Sequence, residues 1–278
     1  MLVALLAALG QSVSLLIDKI ILSKRRVDEK TYLLAVFFFI FVGGVILYPF
    51  FGRVNWTQAL ELKNVLIFSV IVVSAFIWNI LYCEAVKKED VGEVQLISMT
   101  QPIMTILLAS ILLPAERSLD VIFVSLFAAL VLIYAHKRRY SIKFDKPALW
   151  LIFGVFLMAL ESVLAKFLLD IYSPLAFYCF RVAMITVFFV FYTRKNFFSL
   201  NFGNQSLVVL NSLIALSFMV LKLVGYQKYG VVNTATILLL SPAFVYLLNP
   251  LILKEKIPKK TIYATIVILL AIVYLQLR

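Results

Sequence analysis

The chain has 278 residues, of which 64% are hydrophobic and 14% charged, with a formal net charge of +12. Soluble globular domains run at about 45–50% apolar and about 25% charged, so this sequence has too little polar surface to coat a core in water and must be solvated by lipid. Its two cysteines, Cys83 and Cys179, lie in apolar runs; they offer neither a disulfide framework nor a metal-ligand spacing and read as small buried hydrophobes.

A run of about 20 apolar residues crosses the hydrocarbon of a bilayer. Ten such runs predict ten transmembrane helices: 2–22, 31–51, 64–84, 91–113, 119–135, 148–169, 174–193, 206–226, 231–253 and 261–277. Met1 leads straight into the first run. That run is long for a signal-peptide core and no small-residue cleavage site follows it, so it is expected to stay as a helix. Short segments join the runs, and none has room for a soluble domain. Stretches such as VLIFSVIVVSAFI are continuously apolar, which excludes a β-barrel, whose strands alternate apolar and polar residues.

The basic residues fall mainly in alternate connections. Lys24, Arg25, Arg26 and Lys30 lie between spans 1 and 2, Lys87 and Lys88 between 3 and 4, and Lys137, Arg138, Arg139, Lys143 and Lys146 between 5 and 6. Arg194 and Lys195 follow span 7, and Lys254, Lys256, Lys259 and Lys260 follow span 9. These are seventeen, against five at the other face: Arg53, Lys63, Arg117, Lys228 and Arg278. The positive-inside rule then places the odd-numbered connections in the cytoplasm and both termini outside. The net charge is therefore an orientation signal with scope for anionic-lipid contact, and no nucleic-acid partner is expected.

An internal repeat underlies the ten spans. Sliding the chain by 140 residues aligns AVKKEDVGEVQLISMTQPIMTILLAS (85–110) with GYQKYGVVNTATILLLSPAFVYLLNP (225–250) without a gap. Lys88 meets Lys228, Val91 meets Val231, Ile97 meets Ile237, and Pro102 meets Pro242. Each copy ends in an acidic residue, Glu116 or Glu255. The opening helices repeat more loosely: Lys19 in SLLIDKIIL pairs with Lys166 in ESVLAKFLL, or else QSV (11–13) pairs with ESV (161–163). Each half holds five spans. An odd number makes the second half enter from the opposite face, the inverted repeat of many secondary transporters, whose substrates bind near the midplane. The expected fold is thus an all-α membrane protein of ten transmembrane helices in two inverted five-helix repeats, 1–137 and 146–278, with 138–145 as a basic linker.

Those segments, and IWNILYCEAVKKEDVGEVQLISMTQPIMTILLASILLPAER with VGYQKYGVVNTATILLLSPAFVYLLNPLILKEK in particular, resemble the EamA-like members of the drug/metabolite transporter superfamily. The resemblance covers about 2–277. It implies a ten-helix carrier of small metabolites, commonly an exporter, with a central cavity lined by helices 1, 3, 4, 6, 8 and 9. Two features depart from the family pattern. The glycine usual before the acidic exit is Ala115 in one half and Lys254 in the other. Family members often keep both termini in the cytoplasm, where the loop charges here argue the reverse.

Ionisable groups inside a span are costly and persist where they face a cavity or a partner. The basic ones are Lys19, Lys166, Arg181 and Lys222; the acidic ones are Asp18, Glu84, Glu93 and Glu161. Glu161 lies deepest. It reads as a substrate-binding or proton-coupling carboxylate, or as the structural partner of a basic residue. Arg181 is positioned to hold a substrate carboxylate in a bidentate way, or to pair with Glu161 or Asp170. Lys166 and Lys222 read as substrate contacts or as side chains snorkelling to the interface. Asp18 and Lys19 read as an interhelical or surface salt bridge. Polar residues also fall on helical stripes: Gln11, Ser14 and Asp18; Ser74, Trp78 and Tyr82; Gln95, Ser98, Pro102 and Thr105, with Gln101 at the edge; and Asn211 with Lys222 through Ala215 and Phe218. Four stripes point to one shared wet cavity, or else to interhelical packing contacts.

The expected substrate-binding residues are Gln11, Ser14, Ser74, Trp78, Gln95, Ser98, Glu161, Arg181, Asn211 and Lys222, with Glu161 also as the coupling group. Pro102 and Pro242 are expected to kink helices 4 and 9, face each other across a pseudo-two-fold axis and gate the cavity. Gln101, Ser98 or Ser241 would satisfy the carbonyls that a proline frees. The sequence has no GxxxxGK[ST] loop for ATP, no HExxH zinc site and no GxSxG elbow, so no cofactor, no metal and no enzyme activity are expected. The expected partners are a small-molecule substrate and the bilayer, in a monomer or homodimer, in a prokaryotic cell membrane. A flippase for a lipid-linked intermediate is the alternative function.

Overall fold

A computed structural model of the chain describes residues 1–25, 27–88, 97–98, 100–136, 146–194 and 200–252, with positions 263, 266, 267 and 270 of the last run. Helix α1 (Leu2–Lys19) continues through one wide π-turn, Ile20–Lys24. Then come α2 (Glu29–Phe51), a single turn Trp56–Ala59, and α3 (Leu62–Lys88). They are followed by α4 (Gln101–Leu112), α5 (Leu119–His136), α6 (Lys146–Leu168) and α7 (Pro174–Thr193). The last are α8 (Phe202–Tyr229), α9 (Val231–Leu238) and α10 (Ser241–Ile252). The fold is all-helical among the described residues. Among the described residues seven spans are long and apolar enough to cross a membrane, with α9 and α10 counted as one.

Short polar residues open the helices. The side chains of Asp28, Ser173 and Asn201 accept from backbone N–H groups in the first turns of α2, α7 and α8, satisfying donors that have no intrahelical partner. Pro174 takes the first position of α7, where its fixed φ fits and no N–H is needed. Inside the spans, hydroxyls bond back to the carbonyl four residues earlier, as in Ser12 to Ala8, Thr186 to Val182 and Ser212 to Val208, each at 2.7 Å. This is how a hydroxyl is satisfied where no water reaches.

The fourth and ninth spans correct the expectation of proline kinks. Leu239 and Leu240 form a turn between α9 and α10, with Leu240 N–H donating to Ile237 O at 3.0 Å. Pro242 is then the second residue of α10. Thr100 N–H donates to Ile97 O at 3.0 Å, and Pro102 is the second residue of α4. Each helix stops before its proline and restarts with the proline in the first turn, where the missing donor costs nothing. The bonds Met104 N to Thr100 O and Phe244 N to Leu240 O, each 3.0 Å, are likewise separated by 140 residues.

Packing is most extensive between α3 and α6, α1 and α8, and α2 and α7; α4 also packs on α6 and α9, α2 on α8, α1 on α10, and α3 on α7. Gly10 lets α1 approach α8 closely, since a Cβ there would stand 2.8 Å from Phe218 Cβ. Between α2, α3 and α7, Phe189 packs its ring 5.2 Å from both Phe37 and Phe76. Such ring pairs contribute about 0.5–1.5 kcal/mol each beyond area burial. Large apolar side chains such as Phe50, Phe191 and Ile111 lie exposed, as they must where the surrounding solvent is lipid.

Candidate functional site

A cavity with about 1350 Å³ of unfilled space, its mouth included, opens among the helices. Its lining comes from the C-terminal halves of α1 and α3, the N-terminal half of α2, the first turns of α4 and α10, the middles of α6, α7 and α8, and the end of α9. It therefore lies between mid-depth and the end that carries the α1–α2 connection.

At its inner end Arg181 of α7 lines the cavity and pairs with Glu161 of α6, Nε to Oε1 at 2.6 Å. Trp78 of α3 donates its indole N–H to the other oxygen, Oε2, at 3.0 Å. Arg181 is 2% exposed and is the largest fully buried side chain described, so this carboxylate is its neutralising partner. The guanidinium also lies 5.6 Å from the Tyr178 ring.

Nearer the α1–α2 end stands a second carboxylate. Tyr32 of α2 donates its hydroxyl to Asp18 Oδ1, and Asn211 of α8 donates Nδ2 to the same oxygen at 2.6 Å. Asn211 Nδ2 also reaches the Tyr32 hydroxyl at 2.8 Å. Asp18, expected on the α1 polar stripe and in a salt bridge, lines the cavity, and no basic group among the described residues pairs with it.

The two helix restarts also sit on the cavity wall. Ser98, Gln101, Pro102, Ser241 and Pro242 all line the cavity. Ser12 Oγ bonds Ser241 O at 2.9 Å and Ser241 Oγ at 3.0 Å, tying α1 to the start of α10. Gln101 does not turn back to the broken helix end. Its Nε2 donates forward to Thr105 Oγ1 at 3.1 Å.

The opposite end is closed by polar contacts. Glu116 Oε2 accepts from Val231 N at 2.5 Å and Val232 N at 3.0 Å, capping α9, and its Oε1 lies 3.9 Å from Lys166 Nζ. Lys166 Nζ also donates to Tyr226 O at 2.8 Å. The α2–α3 and α6–α7 connections pair through Asn55 N to Ile171 O and Ser173 N to Arg53 O, at 2.9 and 2.8 Å. Tyr172, in the second of these connections, has its phenol pushed upward by loss of hydration.

Among the expected binding residues, Gln11, Ser14, Trp78, Ser98, Arg181 and Asn211 line the cavity. Glu161 stands behind the lining as the partner of Arg181 and Trp78. Ser74 is buried beyond the lining, and Asn79 takes its place on α3. Lys222 is also outside the lining. It neither snorkels nor enters the cavity, and donates to Ser162 Oγ at 3.2 Å with the Tyr226 ring at 5.4 Å. Gln95 and Glu93 lie outside the described residues. The lining is wider than the resemblance implied, because α2 adds Tyr32, Val36, Phe37 and Ile40, and α7 adds Tyr178 and Arg181. Beyond its first turn α2 is apolar and carries no polar stripe that could have marked it.

No curated protein matches the chain. Among solved structures 26 chains match, one described only as "Crystal structure of protein", with TM-score 0.75 and 12% identity over 96% of this chain and 94% of that one. At that identity the likeness is one of fold. The model of the EamA-like transporter family matches twice, over residues 1–135 and 145–277. The chain therefore belongs to the EamA-like transporter family, whose members are transporters rather than enzymes, and is a multi-pass membrane transporter of a small molecule.

Proposed function

We propose that the protein is a secondary transporter that exports small organic molecules by alternating access around this cavity. The proposal includes ten helices in two inverted five-helix halves, 1–137 and 146–278. One observation carries it: a cavity walled by both proline-started half-helices is closed at one end by polar contacts that rigid-body rocking can break and remake. The packing supports the inverted halves. Exchanging α1, α2, α3 and α4 with α6, α7, α8 and α10 turns the α1–α8 contact into α6–α3 and the α1–α10 contact into α6–α4, and leaves α2–α7 as it is. The hydrogen bonds repeated across 140 residues at the two helix breaks support it as well.

Glu161 enters as the coupling group. Protonation removes the charge that holds Arg181, and Arg181 is then free to turn to a substrate or to another acceptor. Trp78 and Tyr178 are the neighbours that would feel the change. Pro102 and Pro242 enter as fixed restart points that keep the wall open. The flippase alternative draws no support from its two cations, because Arg181 is held by Glu161 and Lys166 donates to the Tyr226 carbonyl.

The test is flux in proteoliposomes, with a substrate found by thermal-shift screening, measured with and without an imposed pH gradient. Flux that follows the gradient, and loses that dependence in Glu161→Gln, supports the reading. Gradient-independent flux, or unchanged coupling in the variant, removes Glu161 from it.

A further inference from the structure

The two buried carboxylates of the cavity are not equivalent. Glu161 has both oxygens engaged, one by a guanidinium and one by an indole N–H. Asp18 has two neutral donors, and both end on Oδ1. Its second oxygen accepts no hydrogen bond from a described residue. Asn211, having spent its Nδ2 on Asp18 and Tyr32, leaves its own Oδ1 without a partner among the described residues. The amide orientation follows from chemistry, since an ionised carboxylate can only accept.

The cavity therefore offers one carboxylate with no counter-charge among the described residues, beside a buried carbonyl oxygen without a partner among them. An uncompensated charge inside a span is costly, and natural sequences keep one where a partner arrives. Two vacant acceptors call for a ligand rich in N–H donors carrying one positive charge. An ammonium group has three donors and no acceptor. The wall mixes polar residues such as Ser14 and Gln11 with aromatic ones, Tyr32, Phe37 and Phe218, and the aromatic members suit an apolar body attached to that cation and add cation–π attraction.

We infer that Asp18, seconded by Asn211 Oδ1, is the substrate-binding acidic group of the cavity, and that its ligand is a monocationic organic ammonium with an apolar body. Resting on the reading that this cavity is the transport site, the inference names the substrate class. Tyr32 is a positioning residue that fixes the Asp18 rotamer through Oδ1. By the loop charges, the site faces the cytoplasmic end, where an exporter collects its cargo.

Three matched probes test it: phenethylammonium, its neutral isostere phenethyl alcohol, and the anion hydrocinnamate. Binding to purified wild-type protein is read by thermal shift and by tryptophan fluorescence, since Trp78 lines the cavity. A charge-assisted contact predicts that the ammonium binds about tenfold or more tightly than the alcohol, with the anion weakest. Asp18→Asn should abolish that preference, and Tyr32→Phe should reduce it. Equal affinities, preference for the anion, no ammonium binding at millimolar concentration, or retained preference in Asp18→Asn overturns the inference. If Asp18→Asn does not fold, the wild-type comparison of ammonium with alcohol decides alone. Flux separates the two readings. Ammonium that binds without crossing sinks transport and leaves the site, whereas transport of another molecule with no ammonium binding sinks the site and leaves transport.

Discussion

Arg181 Nε lies 2.6 Å from Glu161 Oε1, and Trp78 fills the other oxygen of that carboxylate, so that α3, α6 and α7 meet on one charge. Breaking a buried pair by removing one partner costs about 3–5 kcal/mol, because the remaining charge is left uncompensated. Glu161→Gln is therefore expected to lower the melting temperature of the detergent-solubilised protein markedly. The double variant Glu161→Gln/Arg181→Gln should recover part of that loss. A double-mutant cycle with no coupling would show that the pair does not hold these helices.

Glu116 is expected to act as the cap of α9. Its carboxylate accepts from the N–H groups of Val231 and Val232 and meets the positive end of the helix dipole. Glu116→Ala should cost about 1 kcal/mol, the usual worth of an N-cap. It should also speed hydrogen exchange at those two amides. Unchanged exchange there would contradict the capping role.

Gly230 joins α8 to α9 with φ 86° and ψ 162°. A side chain rarely adopts that conformation, and a Cβ there would stand 2.8 Å from the Glu116 carboxylate. Gly230→Ala is expected to cost about 1–3 kcal/mol, read as a fall in melting temperature. In a Glu116→Ala background the clash is gone and the backbone strain remains, so the cost should shrink without vanishing. Wild-type stability in Gly230→Ala would refute the assigned geometry.

Ser12 stitches α1 to the start of α10 through the Ser241 carbonyl. Ser12→Ala should cost about 1 kcal/mol, the net worth of one such bond. Pro242→Ala restores a donor that can bond back across the break and lengthen α9 into α10. Slower hydrogen exchange at Leu239 and Leu240, together with reduced flux, is the expected result. Wild-type flux in both Pro102→Ala and Pro242→Ala would show that the breaks are packing features only.

These predictions also show where sequence reasoning reached and where it stopped. The spans were legible because lipid demands long apolar runs, and the observed Leu2–Leu22, Pro174–Thr193 and Phe202–Tyr229 follow the expected positions closely. The stripe Gln11, Ser14 and Asp18 was legible because helical periodicity puts them on one face, and all three line the cavity. The break at Pro242 was read as a kink, since the tight turn at Leu239 and Leu240 involves two leucines with no turn signature of their own. The role of Asp18 was read as a salt bridge because it lies with Lys19 at the end of the first span. Its real partners, Tyr32 and Asn211, come from other helices, and no local pattern announces them. Ser12 was passed over for the same reason, as its partner Ser241 is 229 residues away in sequence.

The most direct test of alternating access needs no known substrate. Spin labels are placed at exposed Arg117 and Lys228, on the end closed by Glu116, and in a second sample at exposed Glu84 and Phe202, on the end where the cavity opens. Pulsed dipolar spectroscopy then follows both distances in nanodiscs over a pH series. Two populations are predicted for each pair, with one distance lengthening as the other shortens. A single unchanging distance at both ends, or two distances that lengthen together, would contradict alternating access around this cavity.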